Sequence, residues 1–119
     1  MEDSVVIEKQ QINDKGKSYI AYLVLNRPEK SNGLNTDIIN QIPNLLTDLD
    51  KDPHCRVLVV TGRGKHFCAG ADLIWMKESK DLTEEQNYQQ SKELHQMFEA
   101  LSQFSKPTIA WAKGAVYGG

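Results

Sequence analysis

A run of β-branched and aliphatic residues in the middle of the chain constrains its fold more than any other feature. Val57-Leu58-Val59-Val60-Thr61 follows Arg56 and ends at Gly62, with almost no polar interruption. A half-exposed strand alternates apolar and polar residues, whereas a strand covered on both faces does not. We therefore predict a central, parallel strand over residues 56–62.

Two further β-rich segments precede this strand. Ser4 to Glu8 and Ser18 to Leu25 are rich in Val, Ile, Tyr and Leu, and the residues between them include Asn, Asp and Gly turn formers. This pattern predicts a β-hairpin. Because of the hairpin, the sheet need not be purely parallel.

A first amphipathic helix is predicted between the hairpin and the central strand. Asn35 is a suitable N-cap, and Asp52-Pro53 ends the segment. Apolar residues recur between them at steps of three and four: Ile38, Ile39, Ile42, Leu45, Leu46 and Leu49. Pro43 lies inside this helix, where it removes a donor and clashes one turn back, so we expect a kink or an early break there.

A second helix is predicted after the central strand. Thr83 and Gln86 form a capping-box pattern at its start. The apolar residues expected along one face are Tyr88, Leu94, Met97, Phe98, Leu101 and Phe104. Lys106-Pro107 ends this helix, and Thr108 to Trp111 is typical of a short strand. The order of strands and helices predicts an α/β fold built from ββα units.

The composition excludes several classes of protein. The formal net charge is −2 and no basic cluster is present, so neither nucleic acid nor an anionic membrane is an expected partner. The apolar runs are too short to cross a bilayer.

Cys55 and Cys68 are too few for a disulfide framework, and the acidic start is unlike a signal peptide. Together these two features predict a cytoplasmic protein. His54, His66 and His95 lack partner ligands at zinc-type spacing, so no metal site is predicted.

Two glycine-bearing loops, residues 62–73 and 113–119, follow predicted strands and are candidates for ligand binding. Small residues let a ligand approach main-chain N–H groups closely, and two such groups converging on one oxygen would form an oxyanion hole. Taken alone, turn chemistry is the more common explanation of such glycines. No Gly-x-Gly-x-x-Gly opens a helix after the central strand, so dinucleotide binding is not predicted.

The order of several motifs narrows these alternatives. The chain carries in turn Asn26-Arg27-Pro28-Glu29-Lys30-Ser31-Asn32-Gly33-Leu34-Asn35, the strand 57–62, Phe67-Cys68-Ala69-Gly70-Ala71-Asp72-Leu73, Lys106-Pro107-Thr108-Ile109-Ala110 and residues 114–119. In this order they resemble the crotonase (enoyl-CoA hydratase/isomerase) superfamily over nearly the whole chain. Gly33, where the family usually has Ala, and Pro43 are departures, and neither touches the chemistry.

The resemblance implies a fold, a substrate class and a catalytic device. It implies a crotonase-like spiral of ββα units, assembled into homo-trimers or hexamers, that binds acyl-CoA thioesters as substrates and uses no separate cofactor. The backbone N–H groups of Ala69 and Gly119 would stabilise the oxyanion formed at the thioester carbonyl. The stretch that would hold the adenine end of CoA is Ala69, Gly70, Ala71, Asp72 and Leu73. Lys30 is the nearest cation for the CoA phosphates, although a solvated loop lysine explains it almost as well.

Other residues near these motifs have plainer explanations. Asp72 is better explained as an acceptor of backbone hydrogen bonds that fixes its loop than as a catalytic carboxylate. His66 is better explained as a surface residue than as a base, and Cys68 as a packing residue. Trp75 and Met76 suit a helix core and an acyl-pocket lining equally well.

The resemblance predicts an enoyl-CoA hydratase, a lyase of fatty acid metabolism that adds water across an α,β-double bond. In this family the general acid and base are glutamates that follow the glycine motif, so residues 1–119 are expected to form the N-terminal part of a single, truncated crotonase-like domain. Residues 71–76 also resemble the branch that acts on methylglutaconyl-CoA. Enoyl-CoA isomerase and acyl-CoA hydrolase are alternatives because they share the oxyanion hole, and a non-catalytic fragment is another.

Overall fold

The chain forms one mixed sheet with two long helices. The computed structural model describes residues 4–13, 15–30, 32, 34–64 and 83–111, without the side chain of Lys30. The elements in chain order are β1 (Val5–Gln11), β2 (Tyr19–Leu25), a short 3-10 helix (Pro28–Lys30), α1 (Thr36–Lys51), β3 (Cys55–Gly62), α2 (Glu84–Ser102) and β4 (Thr108–Ala110). The predicted α/β class is confirmed.

The sheet has the order β1-β2-β3-β4. Strand β1 pairs antiparallel with β2, which confirms the hairpin, and Val5 lies opposite Leu25. Strand β3 pairs in parallel with both β2 and β4. The predicted parallel strand over 56–62 is therefore confirmed, and it is central in the sheet.

One face of the sheet carries the hydrophobic core. Alternate residues of β2 point to this face because side chains alternate along a strand. Both helices pack here, and the largest fully buried aliphatic and Met side chains of the core are Leu23, Ile38, Ile39, Leu46, Leu58 and Met97. On the opposite face no helix packs within the described ranges, and Ile109 and Trp111 are 55% and 61% exposed. We call this second surface the helix-free face.

Helix α1 begins as predicted but does not end early. The Asn35 side chain accepts a hydrogen bond from the Ile38 N–H at 3.0 Å, so the N-cap is confirmed. The helix continues through Pro43 to Lys51, so of the two expected outcomes, a kink or an early break, the early break is wrong. Buried Ile42 and Leu46 flank Pro43 and pack into the core on both sides of it. This packing offsets the hydrogen bond that proline cannot make.

Helix α2 has the predicted capping box, in which Thr83 and Gln86 bond each other's backbone N–H groups. The buried part of its apolar face is shorter than predicted. Met97 alone of its residues is fully buried, and Tyr88, near the start of the helix, is 70% exposed. The assignment of Tyr88 to the buried face is wrong, since spacing gives a face but not the length over which a partner covers it. Phe104 packs on the core from beyond the helix end.

Polar contacts connect the segment between α2 and β4 to the C-terminal end of α1. The Lys106 ammonium donates to the carbonyl oxygens of Leu49 and Asp52 at 2.6 and 2.5 Å, which places a cation at the C-terminus of α1. The Ser105 hydroxyl donates to the Asp50 carboxylate. Asp52 also accepts a 2.6 Å hydrogen bond from the buried Tyr19 hydroxyl. These contacts hold the amino-terminal end of β4 in place.

These contacts predict loss of stability at both extremes of pH. The Tyr19 and Ser105 hydroxyls lower the pKa of Asp52 and Asp50 below their usual value, so both carboxylates stabilise the fold above about pH 4 and that contribution is lost as pH falls further. Burial, reinforced by the bond to Asp52, raises the pKa of Tyr19, so its neutral form stabilises the fold below about pH 10 and that contribution is lost above it.

Urea unfolding of the full-length gene product across pH measures both effects. Asp52→Asn is expected to flatten the acid limb and Tyr19→Phe the alkaline limb. An alkaline limb that is unchanged in Tyr19→Phe would contradict the assignment of that limb to this hydroxyl.

Candidate active-site edge

Three segments of the chain leave the sheet at a single edge. Because β2, β3 and β4 are parallel, their carboxyl ends lie together, with Leu25 opposite Gly62 and Val60 opposite Ala110. The connections that start there are the β2–α1 loop (residues 26–35), the chain after Gly62 and the chain after Ala110. Ligands of open α/β sheets bind outside the carboxyl ends of the strands. We call this region the carboxyl edge.

A buried asparagine joins the first two of these loops. Asn32 is 0% exposed, and its side-chain oxygen accepts a hydrogen bond from the Arg27 N–H at 2.8 Å. Its side-chain nitrogen donates to the Arg63 carbonyl oxygen at 2.8 Å. The Arg63 N–H in turn donates to the carbonyl oxygen of Leu25, the last residue of β2. The chain just after β3 is thus held by β2 and by the loop that follows β2.

Close packing between Gly64 and Pro28 supports the same junction. Gly64 has a φ of +88°, a conformation that residues with a Cβ rarely adopt. A Cβ at this position would lie 2.8 Å from the Cβ of Pro28. Glycine is therefore needed here both for its backbone angle and for the close approach of the two loops.

A cavity of about 430 Å³ opens on the helix-free face beside the carboxyl edge. Its lining includes Tyr22, Trp111 and Gly64. Arg63 and Glu8, also in the lining, form an ion pair at 2.8 Å across β1 and the β3 loop. The polar rim and aromatic walls can accommodate a ligand with both apolar and polar parts.

The structure places some of the predicted site residues and not others. Lys30 ends the short 3-10 helix of the β2–α1 loop, which puts its backbone at the carboxyl edge; its side chain lies outside the described atoms. The other predicted binding and catalytic residues lie outside the described residues: Ala69, Gly70, Ala71, Asp72, Leu73 and Gly119. His66, Cys68, Trp75 and Met76 lie outside them as well.

Sequence reasoning missed two residues at this edge. Asn32 was part of a motif but was given no role, although Asn before Gly33 is a turn signal and Asn tolerates positive φ. Its φ of 56° is the only positive value of a non-glycine residue in the described chain. Arg63 was not singled out, and no local pattern pairs it with Glu8, which lies 55 residues away.

The described part of the chain includes neither a metal-binding cluster nor a membrane-spanning helix. No group of three or more His, Cys, Asp or Glu side chains there could hold a metal ion. None of the helices there is long and apolar enough to span a membrane. Cys55 is buried, and this burial raises the pKa of its thiol.

The sequence of the chain matches known proteins. The family model for enoyl-CoA hydratase/isomerase matches residues 20–119. A Thermus thermophilus protein assigned as an enoyl-CoA hydratase is 40% identical over 104 residues, which cover 87% of this chain and 41% of that protein. A peroxisomal Δ3,5-Δ2,4-dienoyl-CoA isomerase of Arabidopsis thaliana is 32% identical over 111 residues, which cover 86% of this chain and 40% of the isomerase.

The fold matches as well. The crystal structure of a Legionella pneumophila protein assigned as an enoyl-CoA hydratase/isomerase superposes with a TM-score of 0.86 and 34% identity, covering 98% of this chain and 42% of that one. This chain therefore spans about two fifths of the length of these relatives. The family model covers most of the chain and the described fold agrees with it, so the chain belongs to the enoyl-CoA hydratase/isomerase family, the crotonase superfamily.

Proposed function

We propose that this chain supplies the oxyanion-binding part of an acyl-CoA hydratase. The observation that carries the proposal is the parallel pairing of β3 with β4, in which Trp111 N–H donates to the Val60 carbonyl oxygen at 2.9 Å. This pairing starts the chain toward Ala69 and the chain toward Gly119 from adjacent points of one edge. Two main-chain N–H groups from these loops can then converge on one thioester oxygen.

In this proposal the chain's own residues bind and polarise the substrate. The N–H groups of Ala69 and Gly119 donate to the carbonyl oxygen of the thioester and stabilise the negative charge that develops there. Lys30 and the backbone of residues 69–73 hold the CoA portion. Glutamates that follow the glycine motif in the complete protein supply the general acid and base for the addition of water.

An enoyl-CoA isomerase is the second candidate. The Arabidopsis relative named as a dienoyl-CoA isomerase is 32% identical to this chain, and isomerisation needs the same stabilised oxyanion. The two reactions differ in the placement of the acid and base, not in the oxyanion donors. We also propose that the acyl group of the substrate is an enoyl group. Methylglutaconyl-CoA is one candidate substrate, on the resemblance of residues 71–76 alone.

The remaining features of the complete protein are also part of this proposal. We propose acyl-CoA as its partner, a homo-trimer or hexamer as its assembly and the cytoplasm as its location. For a 119-residue species on its own, we propose a non-catalytic fragment that lacks the acid and base and binds CoA weakly or not at all.

Turnover of crotonyl-CoA by the full-length gene product tests the proposal. We expect the absorbance of the conjugated enoyl thioester to fall as water is added, and mass spectrometry to show a gain of one water molecule. A product of unchanged mass with a shifted double bond would favour the isomerase instead. Failure to bind or convert any acyl-CoA would refute both functions.

A further inference from the structure

Asn32 combines complete burial with an unusual backbone. Among the described residues it is the only polar side chain that is fully removed from solvent. Its φ of 56° lies in the left-handed region, where a non-glycine residue is uncommon and where asparagine is better tolerated than most. Such a residue persists where the surrounding contacts require it.

The contacts of Asn32 act in two directions. Within its own loop, Asn32 closes a ring with Arg27: the Asn32 N–H donates to the Arg27 carbonyl at 2.9 Å, and the Arg27 N–H donates to the Asn32 side-chain oxygen at 2.8 Å. Across to the next loop, its side-chain nitrogen donates to the Arg63 carbonyl at 2.8 Å. One amide group therefore ties together two loops that are far apart in sequence.

The second contact restrains the start of the loop after β3. The N–H of Arg63 is held by Leu25 and its carbonyl is held by Asn32. The next residue, Gly64, packs directly on Pro28 of the Asn32 loop. The amide of Asn32 thus adds to the Leu25 bond, the Arg63–Glu8 ion pair and the packing at Gly64 in holding this junction.

We infer that Asn32 is a positioning residue for the acyl-CoA reaction, an inference that rests on the proposed function. Its amide sets the separation of the loop that carries Lys30 and the loop that leaves β3 toward Ala69. A carboxamide is required because one end must accept from Arg27 while the other donates to Arg63. Aspartate can accept at both ends and donate at neither, so it would repel the Arg63 carbonyl oxygen.

Two substitutions separate the amide from the backbone angle. Asn32→Gly permits the positive φ and removes both side-chain hydrogen bonds. Asn32→Asp keeps the shape and the acceptor and removes the donor to Arg63. Leu49→Ala is the stability control, because Leu49 is a buried core residue near the C-terminal end of α1, at the edge of the sheet opposite the loops.

Two readouts in the full-length gene product test the inference. Steady-state kinetics with crotonyl-CoA give kcat and KM separately. Isotope-edited infrared spectroscopy of bound butyryl-CoA, labelled with carbon-13 at the thioester carbonyl, reports how strongly the oxyanion donors polarise that bond. A thermal unfolding scan of each variant measures its loss of stability, which can then be compared with its loss of kcat.

We expect both Asn32 variants to lower kcat by on the order of 10²-fold, since a displacement of about 1 Å at a site costs that much. KM should change by a smaller factor, and the carbonyl band should move back toward its position in free butyryl-CoA. Leu49→Ala should lower the unfolding temperature without moving kcat or the band.

Unchanged kcat and band in Asn32→Gly, in a wild type that is active, would overturn the inference and leave the proposed function standing. Equal losses of kcat in Leu49→Ala and Asn32→Gly would also overturn it, because the effect would then be one of general stability. A wild type that neither binds butyryl-CoA nor converts crotonyl-CoA would overturn the proposed function, and this inference with it.

Discussion

Removal of the backbone N–H at position 69 is expected to lower kcat by about 10²- to 10³-fold in the full-length gene product, because loss of one oxyanion donor costs about that much in other enzymes. Incorporation of lactic acid in place of Ala69 replaces the amide by an ester and leaves the side chain as it is. The same exchange of Gly119 for glycolic acid should have an effect of similar size. Steady-state kinetics with crotonyl-CoA measure both.

Two variants that keep the N–H groups of both residue 69 and residue 119 are the controls for this experiment. Ala69→Ser keeps the donor and adds only a small side chain, so it should retain far more activity than the ester. A second ester at Ala71 removes a donor assigned to CoA binding, so it should raise KM more than it lowers kcat. If the esters at 69 and 119 left kcat unchanged, the proposed oxyanion hole would be wrong.

Leu58→Ala is expected to destabilise the protein by about 2–5 kcal/mol, the usual cost of deleting a fully buried leucine side chain. Leu58 is 0% exposed, lies in the middle of β3 and packs in the core beneath both helices. Its strand neighbours opposite are Ala21 and Thr108, which are too small to fill the space that the leucine leaves. Urea unfolding, with the midpoint and slope fitted separately, measures the loss.

Val57→Ala is the matched control, because Val57 is the preceding residue of the same strand and points to the helix-free face, where it is half-buried. A smaller loss than in Leu58→Ala is expected. A loss as large at position 57 would contradict the view that the core lies on the helix side alone. That result would show that the helix-free face is also packed in the full-length gene product.

The parts of this fold that could be predicted from the sequence are those set by nearby residues. Asn35 caps its helix by accepting from the Ile38 N–H, three residues away, and the hairpin depends on turn formers between its strands. The β3 run could be identified because burial in a parallel sheet removes the alternation of polar residues. Each of these signals is complete within a short window of sequence.

The incorrect expectations concern residues whose environment is set by distant elements. Pro43 normally breaks a helix, but packing of Ile42 and Leu46 in the core outweighs its local preference. Tyr88 has the spacing of a buried face, but within the described part of the chain no element covers it, so it is exposed there. No spacing rule shows where a neighbouring element ends.

In the candidate site, too, sequence patterns did not identify features that depend on residues far apart in the chain. The roles proposed for residues 69 and 119 rest on the resemblance of ordered motifs, because glycines after strands do not by themselves distinguish an oxyanion hole from a turn. Asn32 was missed because its key partner, the Arg63 carbonyl, lies 31 residues away and becomes adjacent only when β2 and β3 pair.

The hairpin turn is a suitable site for attaching this chain to a solid support. Residues 12–18 join β1 to β2 at the end of the sheet opposite the carboxyl edge, and the Asn13 side chain closes the turn by accepting from the N–H groups of Lys15 and Gly16. Solvent-exposed turns of this kind tolerate insertions. A tether placed at the exposed Lys15 would therefore hold the chain by the end of the sheet opposite the carboxyl edge and leave that edge facing the bulk solution.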